Sequence, residues 1–464
     1  MPTNRYDAKM LVRWDSSILR PSIAAGIALA VCACGGGSPG ATNAVPQLSS
    51  AHLKPEASGK IQHVVIVIQE NRSFNNLFYG YPGAKTVKYG YDSHGRRIRL
   101  RPISLKTTWD IGHDSNGFFA ACNGTGSIPG TDCRMNGFDK EYFYCKSTCP
   151  IKYPSYAYVP YNETKPYFEM AHQYVLADRM YSSNFDASSF VSHQYIIAAQ
   201  AKKSVNFPDG DWGCSGGPSD TIAEVGPQRQ IPHGYEEACW DPTTLGDELD
   251  QAGIPWAYYA ASYYKVWSGW NGYQVIRHIY NGPDWSEDMF TPPRKFLTDV
   301  GKGDLRAVTW ITPTCANSDH AGCYSDTGPS WVASVVNAVG QSKYWSSTAI
   351  FIFWDDYGGW YDPEPPRYVD YDGLGFRLPM LIISPYAKKG YVSHVHYEHG
   401  SILKFVEDQF GLARLWRSDA RANSPEQDCF DFNQPPRKFK KILAPYDTQY
   451  FLRQPPDDRI PDAE

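Results

Sequence analysis

The sequence predicts an α/β fold of three layers, in which helices cover both faces of a parallel sheet. Three short runs of β-branched and aromatic residues have the composition of buried strands, and polar or turn-forming residues follow each run. Helical stretches alternate with these runs, as is typical of α/β proteins. With 464 residues, 42% of them hydrophobic, the chain is long enough for one large α/β domain with insertions or for two domains.

The predicted elements follow one another along the chain. The clearest helical stretches are Ser330–Val339 and Gly400–Gln409. Ligands of open α/β sheets bind beyond the carboxyl ends of the strands, so the residues directly after each strand are where we expect chemistry. The predicted strands are His63–Ile68, Thr348–Phe353 and Pro379–Ile383.

The rest of the chain is assigned by composition. Residues 86–304 are rich in Gly, Pro, Cys and aromatic side chains, which predicts insertions and a cap over the strand ends. After about residue 415 the chain becomes rich in Pro and charge, and we expect it to wrap around the surface of a domain that spans 59–464. The net charge of −5 lacks the basic footprint of a nucleic-acid-binding protein, so no nucleic acid partner is expected.

The N-terminus has the features of an export signal. Two arginines precede the apolar stretch Ile23–Val31, which is shorter than the roughly 20 residues of a membrane-spanning helix. The pattern at 1–34 resembles a bacterial lipoprotein signal with Cys34 as the lipidated residue, and a plain cleaved signal peptide is the alternative. A tether rich in Gly, Ser, Pro and Ala follows at 35–58. We therefore expect an exported protein that is periplasmic and anchored to a membrane by lipid, or secreted.

Cysteine usage also indicates export. Eight cysteines beyond the signal lie close in sequence to a partner, and such pairs form disulfides in an oxidising compartment. Cys145 and Cys149 have a spacing that metal sites also use, but no further Cys or His pair completes such a site. Cys429 is left over. The predicted pairs are Cys122–Cys133, Cys145–Cys149, Cys214–Cys239 and Cys315–Cys323.

Polar and acidic side chains follow two of the predicted strands. Glu70 and Asn71 come after the first strand, and Asp355 and Asp356 come after the second. Adjacent carboxylates at the end of a buried strand repel each other and are costly to desolvate unless a cation neutralises them. Oxygen ligands of this type favour a hard divalent cation such as Mg²⁺, Ca²⁺ or Mn²⁺. Helix capping by Glu70 or Asp355 is the alternative.

Four motifs, in order, resemble those of one known family. Glu70–Phe74 is similar to the opening motif of the phosphoesterase family that contains bacterial phospholipases C, plant non-specific phospholipases C and bacterial acid phosphatases. The resemblance extends over about 61–412. It implies an alkaline-phosphatase-like α/β/α fold and hydrolysis of phosphate esters by a Ser or Thr nucleophile bound to a divalent metal ion. The other motifs are Asp355–Asp362, Gly373–Pro385 and Tyr397–Leu403.

The resemblance also implies the nucleophile and the metal ligands. Phe185–Gln194 is similar to the family's nucleophile motif but has one extra residue. Counting back from the end of the motif places the nucleophile at Ser189, with Ser188 as the alternative. A bound cation lowers the pKa of the serine, so that no separate strong base is required for attack. The implied metal ligands are Glu70, Asn71, Ser189, Asp355 and Asp356.

Three histidines match family positions. His113 and His320 are expected near the phosphate, where either could contact it or protonate the leaving oxygen. His399 either takes part in catalysis or supports the end of a strand. His278 is a weaker candidate from the middle segment. Pro363 and Glu364 stand where the family often has His-Val, which puts the substrate range in doubt but not the reaction type.

Alternatives remain for the substrate and for the class of protein. The expected partner is a phosphate ester or a phospholipid, so the chain is an acid phosphatase or a phospholipase C. Trp256, Trp267 and Trp270 could line a choline or lipid pocket, or belong to the core. A sulfatase would need Pro/Ala-x-Arg after the nucleophile, and Ser189 lacks it. A non-catalytic surface lipoprotein that binds metal is the alternative from another class, and the intact ligand set argues against it.

Overall fold

A nine-stranded sheet lies at the centre of the computed structural model, which describes residues 59–145, 151–261, 270–457 and 459. Across this sheet the strand order is β4-β3-β5-β1-β6-β7-β2-β8, and β9 also pairs with β2. In chain order the strands are β1 His63–Gln69, β2 Val175–Tyr181, β3 Trp256–Tyr259, β4 Met289–Phe290, β5 Val308–Ile311, β6 Thr348–Trp354, β7 Arg377–Ile383, β8 Tyr391–Ser393 and β9 Tyr397–Glu398.

One strand of the central sheet runs against all the others. β7 is antiparallel to β6 and to β2, whereas the remaining pairs are parallel. The prediction that Pro379–Ile383 is a parallel strand is therefore wrong. A strand parallel to β6 would require a crossover to the other end of the sheet, usually through a helix. The segment 355–376 contains no helix, so β7 starts at the end of the sheet where β6 finishes and runs in the opposite direction. The apolar run correctly indicates burial, and burial on both faces does not depend on strand direction.

Helices cover both faces of the sheet. The ring of Phe353 on β6 packs against His399, while the ring of the next residue, Trp354, packs against Tyr167. Successive side chains of a strand point to opposite faces, so the helices that carry His399 and Tyr167 lie on opposite sides. The predicted three-layer α/β/α architecture is confirmed. The helices of eight residues or more are α1 Ser115–Cys122, α2 Tyr161–Gln173, α3 Ser189–Ala198, α4 Lys295–Lys302, α5 Gly328–Gly340 and α6 His399–Phe410.

The shorter helices and strands belong to the connections between these layers. Helix α5 contacts α2 and α4, and α6 contacts α3. The short helices are Phe74–Leu77, Leu245–Gln251, Arg277–Tyr280, Asp284–Glu287, Arg417–Arg421, Glu426–Cys429 and Thr448–Arg453. Outside the central sheet, the paired short strands are Tyr89–Tyr91 with Arg97–Arg99, Arg101–Pro102 with Ala157–Tyr158, Trp109–Ile111 with Phe143–Cys145, and Thr221–Glu224 with both Ser204–Val205 and Gly234–Glu237.

The segment 86–304 supplies core strands in addition to connections. β2, β3 and β4 all lie within it and all belong to the central sheet. Trp256 on β3 and Trp270 are buried, as expected of core residues, while Trp267 lies outside the described residues. The composition of this segment therefore concealed part of the fold.

Disulfides close three loops of the described chain. Cys122–Cys133, Cys214–Cys239 and Cys315–Cys323 are bonded as predicted. Cys145 is also in a disulfide, but its predicted partner Cys149 lies outside the described residues. Cys429 is a buried free thiol. The predicted signal and tether at 1–58, with Cys34, lie outside the described residues as well. Across the described ranges, no helix combines the length and apolarity needed to span a membrane.

Candidate active site

The carboxyl ends of two adjacent parallel strands bring the first acidic side chains together. The register of β1 and β6 pairs Gln69 with Trp354, so Glu70 and Asp355 leave the sheet side by side. The backbone N–H of Asp355 extends this pairing by donating to the carbonyl oxygen of Gln69 at 3.1 Å. Both acidic side chains are fully buried. The strand register alone therefore places two carboxyl groups next to each other in the interior.

Asn71 connects these acids to the second aspartate. Its φ of 57° lies in the left-handed region, which asparagine tolerates better than most residues. In this conformation its backbone N–H donates to Asp355 Oδ1 at 3.2 Å, and its side-chain Nδ2 donates to Asp356 Oδ2 at 3.0 Å. Gly358 permits the close approach of its segment to Asn71, because a Cβ there would lie 2.2 Å from the carbonyl oxygen of Asn71. These two hydrogen bonds hold Asn71 between both aspartates.

Ser189 is the first residue of α3 and lies beside this group. Its Oγ is 3.4 Å from Asp356 Oδ2 and 3.4 Å from Asn71 Nδ2. The neighbouring Ser188 is the N-cap of the helix: its Oγ accepts from the backbone N–H of Val191 and lies 2.9 Å from both Asp186 Oδ2 and the carbonyl oxygen of Asn206. Of the two serines, Ser189 faces the carboxylates, and Ser188 is engaged in capping.

His193 is a site residue that the sequence interpretation did not assign. It lies four residues after Ser189, one helical turn further along α3 and on the same face. Its Nε2 is 3.1 Å from Glu70 Oε1. One ligand atom each from Glu70, His193 and Asp355 lie within 4.8 Å of one another. The Ser-x-x-x-His spacing would have indicated this residue once a helix was predicted to begin at Ser189.

The residues at this point fit a divalent cation. Asp355 Oδ2 and Asn71 Oδ1 are buried and, within the described chain, have no hydrogen-bond partner. Unsatisfied oxygens in the interior are costly, and a carboxylate oxygen is the more so because it is charged. No Lys or Arg of the described residues forms an ion pair with Asp355. Carboxylate and amide oxygens together with one imidazole nitrogen are a suitable ligand set for a divalent metal ion.

Two further buried histidines lie beside this group. His113 Nδ1 contacts the carbonyl oxygen of Ile111 at 2.7 Å, which leaves Nε2 as the acceptor of the Asn71 amide, also at 2.7 Å. The ring of His320 packs edge-on to that of His113, with centroids 5.9 Å apart. His320 Nε2 is 3.7 Å from Asp110 Oδ2. His113 therefore adjoins the carboxylates through Asn71, and His320 packs against His113.

The remaining histidines have different surroundings. His399 is buried against Phe353 at the start of α6, and burial lowers its pKa to about 4, with Asp355 opposing the shift. A neutral imidazole packed below the end of β6 fits the support of a strand end, one of the two roles predicted for it. His278 is bound instead by Asp241 and Asp247 on the protein surface.

Comparison with known proteins identifies relatives over most of the chain. The Phosphoesterase family matches residues 61–413. Non-specific phospholipase C1 of Arabidopsis thaliana is 24% identical, covering 80% of this chain and 73% of that protein. Phospholipase C B of Mycobacterium tuberculosis is 26% identical, covering 82% of this chain and 80% of that protein.

Other similarities are more distant or partial. Non-hemolytic phospholipase C of Burkholderia pseudomallei is 22% identical, and the match covers 75% of this chain but only 55% of that longer protein. A solved structure of an alkaline phosphatase superfamily protein from Vibrio parahaemolyticus is 11% identical, covers 80% of this chain and 72% of the other, and has a TM-score of 0.37.

Proposed function

Because the chain belongs to the Phosphoesterase family and is a hydrolase of phosphoric ester bonds, we propose that Ser189 is its nucleophile and that a divalent cation assists the attack. The observation that carries this proposal is the position of Ser189 Oγ, 3.4 Å from Asp356 and 3.4 Å from Asn71, beside the buried acids at the ends of β1 and β6. A cation that neutralised these acids would also contact a hydroxyl in this position.

The proposed metal ligands come from both strand ends and from α3. Glu70, Asp355 and His193 offer three ligand atoms within reach of one another, and Asn71, Asp356 and Ser189 adjoin them. When bound, the cation supplies Lewis-acid chemistry, which favours the serine alkoxide and polarises a phosphoryl oxygen. We propose one divalent ion at this position.

The protein's own groups assist the reaction in two further ways. Ser189 begins α3, so attack takes place at a helix N-terminus, where free backbone N–H groups and the helix dipole favour negative charge. His113 accepts from the Asn71 amide and so orients it, while His320, packed against the His113 ring, can donate a hydrogen bond to a phosphoryl oxygen or protonate the leaving oxygen. We assign the role of acid to His320, because Asp110 stabilises a positive charge on its ring.

We propose a phospholipid as the substrate and an exported protein as the setting. The relatives named above are phospholipases C from a plant and from two bacteria, which favours a phospholipid over a small phosphomonoester. Disulfides form and persist in oxidising compartments, and three are present in the described chain. Lipidation at Cys34 stays a prediction from the sequence.

The purified chain tests the proposal with two chromogenic substrates, p-nitrophenyl phosphate and p-nitrophenyl phosphorylcholine. We expect release of p-nitrophenol that a chelator abolishes and an added divalent ion restores, with the choline diester preferred. Ser189→Ala should lower kcat by at least about 10³-fold. The matched control Ser188→Ala removes the helix cap together with the contacts to Asp186 and Asn206, so it should retain activity and lose about 1–2 kcal/mol of stability. Equal loss in both variants, or full activity of Ser189→Ala, would overturn the assignment of the nucleophile.

A further inference from the structure

A cluster of basic side chains lies near the carboxyl end of β2, and the proposed reaction does not use it. Arg179 belongs to β2, Arg367 to the connection between β6 and β7, and His396 to the turn before β9. Arg179 Nη1 is 3.5 Å from His396 Nε2, and Arg367 Nη2 is 3.2 Å from the same atom. Two guanidinium groups from separate segments therefore meet at one imidazole nitrogen.

The imidazole of His396 is held in place by its surroundings. Its ring stacks on that of Tyr181, with centroids 5.4 Å apart and planes inclined by 3°. Its carbonyl oxygen accepts a hydrogen bond from Asn423 Nδ2 at 3.0 Å. Burial and the two arginines lower the pKa of His396, which keeps the ring neutral and able to accept at Nε2. The ring thus accepts from Arg367 at the shorter distance, and Arg179 lies beside the same nitrogen.

These two arginines have no counter-charge of their own within the described residues. The nearby carboxylates are paired with other groups: Asp178 with His394 Nδ1 at 2.9 Å, and Glu364 with Lys85 at 2.7 Å. Arg179 Nε is buried and, in the described part of the chain, lacks a hydrogen-bond partner. Two guanidinium groups held together repel each other unless an anion binds to both.

We propose that Arg179, Arg367 and His396 form a binding site for a phosphate group, separate from the site around Ser189. Each guanidinium has five N–H donors in a planar fork that matches phosphate oxygens, and each uses a single nitrogen in the contact with His396. The two sites share no residue: Arg179 lies within β2, whereas Ser189 follows that strand at the start of α3. The phosphate group belongs either to inorganic phosphate or to the headgroup of a phospholipid.

Calorimetric titration of the full chain with inorganic phosphate tests the first source. We expect the double variant Arg179→Gln/Arg367→Gln to lose one phosphate site, or to bind it at least about tenfold more weakly. The matched control Arg97→Gln/Arg99→Gln removes the same charge from two exposed arginines of a different, two-stranded sheet and should bind as the parent does. Ser189→Ala should retain the site, so that failure of the catalytic proposal leaves this result unaffected.

Co-sedimentation with vesicles of phosphatidylcholine, alone or mixed with phosphatidylglycerol, tests the second source. If the ligand is a lipid headgroup, the double variant should bind vesicles at least about tenfold more weakly than the parent and the control. The proposal is overturned if parent, double variant and control agree in both assays, or if Ser189→Ala removes the same phosphate site.

Discussion

Two buried carboxylates in the segment that follows β6 are neutralised in different ways. Asp362 faces a guanidinium: Arg377 donates from Nε to Oδ1 at 3.0 Å and from Nη2 to Oδ2 at 3.1 Å. Asp355 has no such partner among the described residues, and its Oδ2 accepts no hydrogen bond from them. Both side chains are fully buried. The difference assigns the Asp362 pair to the framework and leaves Asp355 for the cation that we propose.

The contacts of the framework pair show what it connects. Asp362 also accepts from the backbone N–H groups of Asn75 and Glu364, each at 3.0 Å. Arg377 donates to the carbonyl oxygen of Asp178 on β2 and lies over the ring of Phe74. Burial raises the pKa of Asp362, and Arg377 opposes the shift. The pair therefore ties the short helix Phe74–Leu77 to β7 and β2, and it can be tested separately from the metal ligands.

Asp355→Asn should have the largest effect on activity and a small effect on the fold. The variant removes a negative charge from the proposed cation site and keeps the shape of the side chain, so we expect kcat/KM to fall by about 10³-fold or more. Without divalent ions its melting temperature should equal or exceed that of the parent, because carboxylate repulsion is reduced. Thermal melts with and without divalent ions check this. The assignment of Asp355 would be contradicted if divalent ions raised the melting temperature of the variant as much as they raise that of the parent.

Asp362→Asn should have the opposite profile. It leaves the Arg377 charge buried without its counter-ion, which costs about 3–5 kcal/mol of the free energy of unfolding. Denaturant titration measures this loss, and activity per folded molecule should fall less than in Asp355→Asn. The double variant Asp362→Leu/Arg377→Met is the control, because removing both charges should recover part of the stability. If the single variant is as stable as the parent, the pair is not part of the framework.

His193→Gln should have an intermediate effect that is confined to the cation. His193 Nε2 contacts Glu70, and loss of a ligand or of a group that orients a ligand typically weakens metal binding by about 10–100-fold. Activity at saturating divalent ion should recover largely, while the ion concentration for half-maximal activity rises. His278→Gln, on the surface and bound by two aspartates, is the matched control and should behave as the parent does. An unchanged ion requirement in His193→Gln would exclude a role at the cation site.

The sequence predicted several of the buried strands and which cysteines are paired, but not the direction of every strand. Long apolar runs identified β1, β6 and β7, and local cysteine spacing predicted three disulfides that the structure contains. The direction of β7 was missed because apolarity reports burial alone. β2 was missed because Asp178 and Arg179 interrupt its apolar pattern, and the buried Asp178 interacts with groups distant in sequence.

At the site, too, residues within local motifs were predicted, whereas contacts between distant segments were not. Motifs singled out Glu70, Asp355 and Ser189, and the structure places these residues close together. Arg377 was not identified as the partner of Asp362, since that pair forms only when β7 returns antiparallel to β6. Contacts that depend on strand direction or on the start of a helix are therefore the ones that a linear pattern does not reveal.

A third buried carboxylate, Glu407 on α6, is an intermediate case with the smallest expected effect. Arg414 donates to its Oε2 at 2.7 Å, and its other neighbour is the carboxyl group of Asp419. Burial, together with the nearby Asp419, raises the pKa of Glu407 to about 9, and Arg414 opposes the shift only in part. One exposed guanidinium that meets a single oxygen therefore does less than the bidentate Arg377.

Glu407→Gln sharpens the comparison through its dependence on pH. Because the folded-state pKa lies above the unfolded value of 4.5, the folded protein binds the extra proton, and this stabilisation is complete below about pH 4.5 and is lost as pH rises towards 9. Glutamine stays neutral, so the variant should gain about 1 kcal/mol relative to the parent between pH 5 and pH 6. Denaturant titrations at both pH values measure the gain, and an equal difference at both would show that Glu407 is ionised throughout. A gain in Glu407→Gln beside a loss in Asp362→Asn would establish that the geometry of the guanidinium contact, rather than burial, decides which interior carboxylates the fold can neutralise by itself.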